Sequence, residues 1–132
     1  MQVVKENYDA CLVLGKLTNN HYVYRDETVE LVNFEDSMIG DPIYDFALAY
    51  EYYYDNADHV QRFIDGYQTY MGLPEHFEEK LPFYKLINML DKILELSDDA
   101  DKNEEELKNI LDRIMDIVTG KFVVSKYENY DF

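Results

Sequence analysis

The chain has 132 residues, 47% of them apolar, and carries 28 Asp plus Glu against 12 Lys plus Arg, a formal net charge of −16. This length and apolar content suit one domain around one core and exclude a disordered chain. The charge excludes direct binding to nucleic acid or to an anionic membrane and favours a basic partner, although solubility or an acidophilic composition would also account for it.

Cys11 is the sole cysteine, so no internal disulfide can form and a reducing compartment fits. No apolar run approaches the ~20 residues that span a bilayer. The start, MQVVKENYDA, lacks the apolar centre of a signal peptide, which makes a cytoplasmic protein the expectation. Tyrosine is abundant (13, with 7 Phe and no Trp), a residue suited to half-buried surfaces and interfaces.

In chain order, CLVL at 11–14 is a short apolar run. HYVY at 21–24 and VELVNF at 29–34 are β-branched and aromatic, and the turn-like RDET between them predicts a hairpin. Asp41 then Pro42 opens a helix, an N-cap followed by proline in the first turn. Phe46, Ala49, Tyr50, Tyr53 and Tyr54 would share its inner face. Asp58 with Gln61 reads as a capping box for a second helix that stops near Gly72. A third helix is expected from about Pro82 to Leu96, burying Phe83, Ile87, Leu90 and Leu94. Asn103 with Glu106 would cap a fourth, with Leu107, Ile110, Leu111, Ile114 and Val118 inward and Gly120 as its stop. The acids of 104–106 sit in that helix's first turn, where they complement its dipole. The fold class is therefore α+β and mainly α, a small hairpin followed by about four helices. The chain reads as a single domain 1–132: strands and a loop in 1–36, a helical bundle in 41–120 and a tail in 121–132, whose structure periodicity leaves undecided between strand and arm.

Acidic residues are unevenly spread. Between Arg25 and Arg62 there is no Lys or Arg, while Asp26, Glu27, Glu30, Glu35, Asp36, Asp41, Asp45, Glu51, Asp55 and Asp58 all fall there. A second acidic run, SDDADKNEEEL, covers 97–107. Charge runs are usually solvated faces or helix starts, but one sign over so long an interval marks a candidate binding surface.

LGKLTNNH at 14–21, VNFE at 32–35 and GDPIYDFA at 40–47, in that order and spacing, resemble the aminoglycoside phosphotransferase and choline kinase group. Members of that group share the catalytic pattern H-G-D-x-x-x-x-N, then an apolar strand into I-D-F/W-E, then G-D-P-x-x-D-L-A. GDPIYDFA is the most specific match, and GYQTYMGL with FYKLINMLDKIL also looks like the group's C-terminal helices. The resemblance implies a truncated protein-kinase-like C-terminal lobe, and covers most of the chain. It further implies three lost functions. The catalytic Asp position is Lys16, the catalytic-loop Asn position is His21 (a shift of one would place Asn20 there), and the metal-binding Asp position is Asn33; Leu14 replaces the opening His. Lysine cannot accept the substrate proton and would repel Mg²⁺, Asn33 brings no charge, and His21 suits softer metals. No room for the family's nucleotide-binding lobe is expected before Leu14. Gly40, Asp41, Pro42 and Asp45 would be structural, with Asp45 bracing the degenerate loop.

No metal or cofactor is expected. His21, His59 and His76 are far apart and unaccompanied by paired cysteines, Cys11 sits in an apolar run, and no Ser or Thr has nucleophile-elbow glycines. Two functions follow. One is a non-enzymatic homodimeric module whose acidic surface (Asp26, Glu27, Glu30, Glu35, Asp36, Glu51, Asp55) imitates nucleic acid towards a basic or nucleic-acid-binding protein such as a nuclease, in the manner of small inhibitors from phages and mobile elements. The other is half of a split, or a residual, small-molecule phosphotransferase binding a cationic substrate near Glu51, Asp55, Asp131 and Phe132. A decayed product without selected function would look similar.

Overall fold

The computed structural model describes residues 10–53 and 55–120. Tyr54 and the tail 121–132 lie outside the described residues, as do 1–9. The described chain is α+β and mainly helical: strands β1 (Cys11–Val13), β2 (Tyr22–Arg25), β3 (Thr28–Leu31) and β4 (Met38–Gly40), then helices α1 (Ile43–Tyr52), α2 (Ala57–Gln68), α3 (Phe77–Ser97) and α4 (Glu104–Val118). None of these helices is long and apolar enough to cross a membrane.

The predicted hairpin is present. β2 and β3 pair antiparallel with Tyr22 opposite Leu31 and Arg25 opposite Thr28. Asp26 and Glu27 form its two-residue tip with φ of 50° and 60°. Positive φ at both positions is what a tight hairpin turn with the right strand twist requires. A second sheet was not foreseen: β1 pairs antiparallel with β4, Leu12 opposite Ile39. Three-residue strands carry too little alternation to be read from sequence. Residues 14–37 thus leave and return through one pinned base.

α1 is the centre of the core. Ile43, Phe46, Ala47 and Tyr50 are buried against Val60 and Ile64 of α2 and Phe77 and Leu81 of α3. Phe46 meets Phe63, Tyr67 and Phe77 edge to face at 5.5, 4.7 and 5.0 Å between ring centroids. Burying one such aromatic contributes about 1.5–3 kcal/mol before its geometric gain. Tyr53 packs on this cluster half-buried. At the start of α1 the side chain of Asp41 accepts from Ile43 N at 3.0 Å, so Asp-Pro opens the helix, but Pro42 and not Asp41 is the N-cap, one position later than expected.

Helices α2, α3 and α4 each differ from expectation. Asn56, not Asp58, caps α2, its side chain accepting from His59 N at 3.2 Å, and Gln61 instead donates to Asp65. α3 begins at Phe77, five residues before Pro82, and its inward face is Phe77, Lys80, Leu81, Lys85, Asn88 and Met89. Phe83 and Ile87 are only partly buried, Leu90 is exposed, and Leu94 is 69% exposed. The purely apolar stripe loses to one containing two lysines because Lys80 meets a carboxylate inside, while Lys85 lies over the Tyr50 ring at 5.2 Å. On α4, Ile110 alone is fully buried, whereas Leu111 and Val118 are exposed. Asn103 makes no side-chain cap; its amide donates to Leu96 O at 3.1 Å and ties the α3–α4 turn. Gly120, at φ 71°, follows the end of α4 as expected.

Candidate functional site

The loop from Leu14 to His21 leaves β1 and is held from below by α1. Asp45, in the first turn of α1, accepts from Leu14 N at 2.8 Å and Gly15 N at 3.2 Å. Gly15 turns with φ +75°, pressed against the backbone of Asp36. Lys16 then reaches α3, where its Nζ lies 3.3 Å from Glu95 Oε1; Lys92 holds the other oxygen at 3.3 Å. These two hydrogen bonds draw the Glu95 carboxyl below its ordinary range. The triad is half-exposed and salt-screened, so it orders the loop more than it stabilises the fold.

Thr18 caps a 3₁₀ turn, Asn19–His21, accepting from Asn20 N at 3.3 Å. His21 is 3% exposed. Its Nδ1 is 2.8 Å from Thr18 Oγ1 and its Nε2 is 4.0 Å from Asp36 Oδ2. Its carbonyl accepts from Val32 N at 2.9 Å and so anchors the root of the hairpin. His21 therefore acts as a wedge between loop and hairpin. Asn33 is exposed and left-handed, with φ 61°. Among the described residues no group of three or more His, Cys, Asp or Glu side chains is placed to hold a metal ion. Cys11 is half-buried, and burial with the nearby Asp45 and Asp41 carboxylates pushes its thiol up, away from the reactive thiolate.

The acidic interval divides by direction. Asp41 and Asp45 turn inward as braces, and Glu51 is taken by Arg113 of α4 in a largely buried ion pair. Asp26, Glu27, Glu30, Glu35, Asp36, Asp55 and Asp58 stay exposed. Glu51 thus offers no open carboxylate, unlike the other six residues expected on the acidic surface.

Beside the loop lies a cleft of about 520 Å³ lined by Lys16, Tyr44, Asn88, Lys92, Glu95 and Arg113 among others. Four carboxylates line it: Glu51 and Glu95 are engaged by cations, and Asp91 and Glu106 are exposed. Asn88, 7% exposed, has neither amide atom hydrogen-bonded. Sequence reading missed Lys80, Asn88, Glu95 and Arg113. All are polar residues on helices whose roles appear only when a second element arrives; Lys80 and Arg113 lie one helical turn from the buried Phe77 and Ile110, while Asn88 and Glu95 carried no such signal.

Compared with known proteins, the chain matches no family model, no curated protein and no solved structure.

Asp45 carries a testable pH effect. Burial is the largest influence and raises its carboxyl above the ordinary 3.8; the two backbone donors lower it but do not cancel the rise. A raised folded value means that the group's stabilising contribution is full below the unfolded value and is lost as pH rises through the folded one. Asp45→Asn abolishes this titration, so wild type is expected to lose stability relative to the variant as pH rises from about 3.8. Asp45→Ala, which strands two backbone N–H groups, is expected to cost about 1–3 kcal/mol at neutral pH. Urea denaturation at a series of pH values reads both; a parallel pH profile for wild type and Asp45→Asn would refute the first.

Proposed function

We propose that this chain is a kinase-lobe-like module that does no catalysis and works by binding a basic, nucleic-acid-binding protein, occupying that partner's nucleic-acid channel as an acidic decoy. The observation that carries this reading is the set of seven outward carboxylates, Asp26, Glu27, Glu30, Glu35, Asp36, Asp55 and Asp58, in an interval without Lys or Arg between Arg25 and Arg62. Such a field steers basic surfaces in and keeps phosphates out. Lys16 supports the non-catalytic part. In the resembled motif Lys16 falls at the catalytic Asp position, and its ammonium is paired with Glu95. A cation at that position neither takes a hydroxyl proton nor tolerates Mg²⁺ nearby.

A second reading, a split or residual phosphotransferase that binds a cationic small molecule, draws on the cleft and on the unsatisfied Asn88 amide. The pairing of Glu51 and Glu95 with cations weakens it, because Lys16, Lys92 and Arg113 bring positive charge to the same cleft, although Asp91 and Glu106 also line it.

The test is capture of partners from a bacterial lysate by the tagged chain at low and high salt, read by mass spectrometry. Recovery of a nucleic-acid enzyme that is released by salt or by competing DNA is the expected result. Recovery of a kinase N-terminal lobe, or of this chain alone, would overturn it, and the former would favour the phosphotransferase reading.

A further inference from the structure

We propose that the contact surface is the apolar face of the β2–β3 hairpin, and that its occupant is a basic protein segment that places apolar side chains between its lysines and arginines. This rests on the binding reading above and specifies where it acts and on what.

The strand register builds the face. Tyr24 stands opposite Val29 and Tyr22 opposite Leu31. The two pairs are separated by two residues along each strand, so all four side chains lie on one side of the ribbon. Tyr24 is 70% exposed, Val29 60% and Leu31 53%. Tyr22 is partly buried and hydrogen-bonds Tyr53, the residue at the C-terminal cap of α1, which ties the root of the face to the helical core. The backbone bond from Val32 N to the carbonyl of buried His21 fixes the same root. The hairpin is thus presented on a rigid base with its apolar side open. An isolated two-stranded ribbon is marginal in water, and an uncovered apolar face on one is a liability unless something covers it.

Charge decides what covers it. Asp26 and Glu27 form the tip, Glu30 stands on the opposite side across from Val23, and Glu35 with Asp36 follows the root, all exposed. Arg25 is the sole Lys or Arg between Lys16 and Arg62. Nucleic acid is repelled by this rim. A second copy is disfavoured too, because it would bring the same carboxylates against their equivalents and each chain carries a formal −16. A basic partner with an apolar centre meets both parts at once: its cations pair with the rim, and its apolar groups bury Tyr24, Val29 and Leu31. Protein interfaces have this anatomy, a desolvated centre rich in tyrosine inside a polar rim.

Two synthetic peptides of equal positive charge serve as probes, one alternating arginine with leucine and one alternating arginine with serine. Binding to the intact chain is followed by fluorescence anisotropy over a range of salt. The arginine–leucine peptide is expected to bind about tenfold tighter or more. Tyr24→Ser with Val29→Ser should erase that preference. Asp26→Asn with Glu27→Gln should weaken both peptides and flatten the salt dependence, and it leaves the hairpin's apolar pairs in place should the first variant unravel them. Asp98→Asn with Asp99→Asn, in the exposed acidic run that follows α3 and outside the hairpin, should change neither. If the peptides bind but the Asp98/Asp99 variant weakens them as much as the tip variant, the hairpin surface is refuted while the binding reading stands. If neither peptide binds at any salt, the binding reading itself fails. If wild type sediments as a dimer that Tyr24→Ser with Val29→Ser dissociates, a second copy is the occupant and the proposal falls.

Discussion

Lys80→Ala is expected to destabilise the protein by about 3–5 kcal/mol, enough to unfold much of it at moderate temperature. Lys80 and Asp41 are both 2% exposed at the side chain, and Nζ lies 3.0 Å from Oδ2. The same oxygen accepts from the Tyr84 hydroxyl at 3.2 Å, and Oδ1 accepts from Ile43 N at 3.0 Å. Truncating the lysine leaves a carboxylate in the interior without its counter-charge. Truncating Asp41 is as severe, because a buried ammonium and the first N–H of α1 then lose an acceptor together. The pair is not expected to be worth that much as a bond. Replacing both partners at once, Lys80→Met with Asp41→Leu, removes the two charges with their mutual dependence and should cost only about 1–2 kcal/mol, mostly the lost helix-start hydrogen bond. Urea denaturation of the two single variants and the double variant closes the cycle. Single variants within about 1 kcal/mol of wild type would mean that water reaches the pair and that the α1–α3 junction is looser than described.

That junction also shows where sequence reading stops. The hairpin was legible because two β-branched, aromatic runs flank a polar dipeptide, and the start of α1 because Asp41-Pro42 combines a cap with a fixed φ. The arrangement around Asp45 was legible only through resemblance, and the structure gives it a physical cause in two backbone N–H groups that need an acceptor. The face of α3 was not legible. Both Phe83-Ile87-Leu90-Leu94 and Phe77-Leu81-Met89 have helical spacing, and choosing the first treats Lys80 and Lys85 as solvent markers. Their burial depends on Asp41 and Tyr50, which lie tens of residues earlier, and no local pattern carries that information. The same limit applies to β4 and to the split of the acidic interval: Asp41, Asp45 and Glu51 look like their neighbours in the sequence and differ only in the donors that fold over them.

Gly15→Ala is expected to cost about 2–5 kcal/mol, the largest effect of a methyl group added at any of the five glycines. Two independent terms add. At φ +75° an L side chain crowds the following carbonyl, a penalty of about 1–2 kcal/mol. The new Cβ would also stand 2.1 Å from the carbonyl oxygen of Asp36, far inside contact distance, and a backbone atom cannot rotate away as a side chain can. Relief requires moving the segment before β4, an overpacking cost of about 1–3 kcal/mol. That movement would carry the Asp36 carboxylate from its place 4.0 Å from His21 and draw Lys16 off Glu95, so amide resonances of the loop should shift along with the denaturation midpoint. Gly66→Ala is the control: it lies inside α2 with nothing within 4 Å of the added carbon, and it should stabilise the helix by roughly 0.5–1 kcal/mol. A wild-type midpoint for Gly15→Ala would remove the close approach on which the description of this loop depends. A large loss would mean that the turn is held to tight tolerance, so that the placing of Lys16 against Glu95 depends on the absence of a side chain one residue earlier.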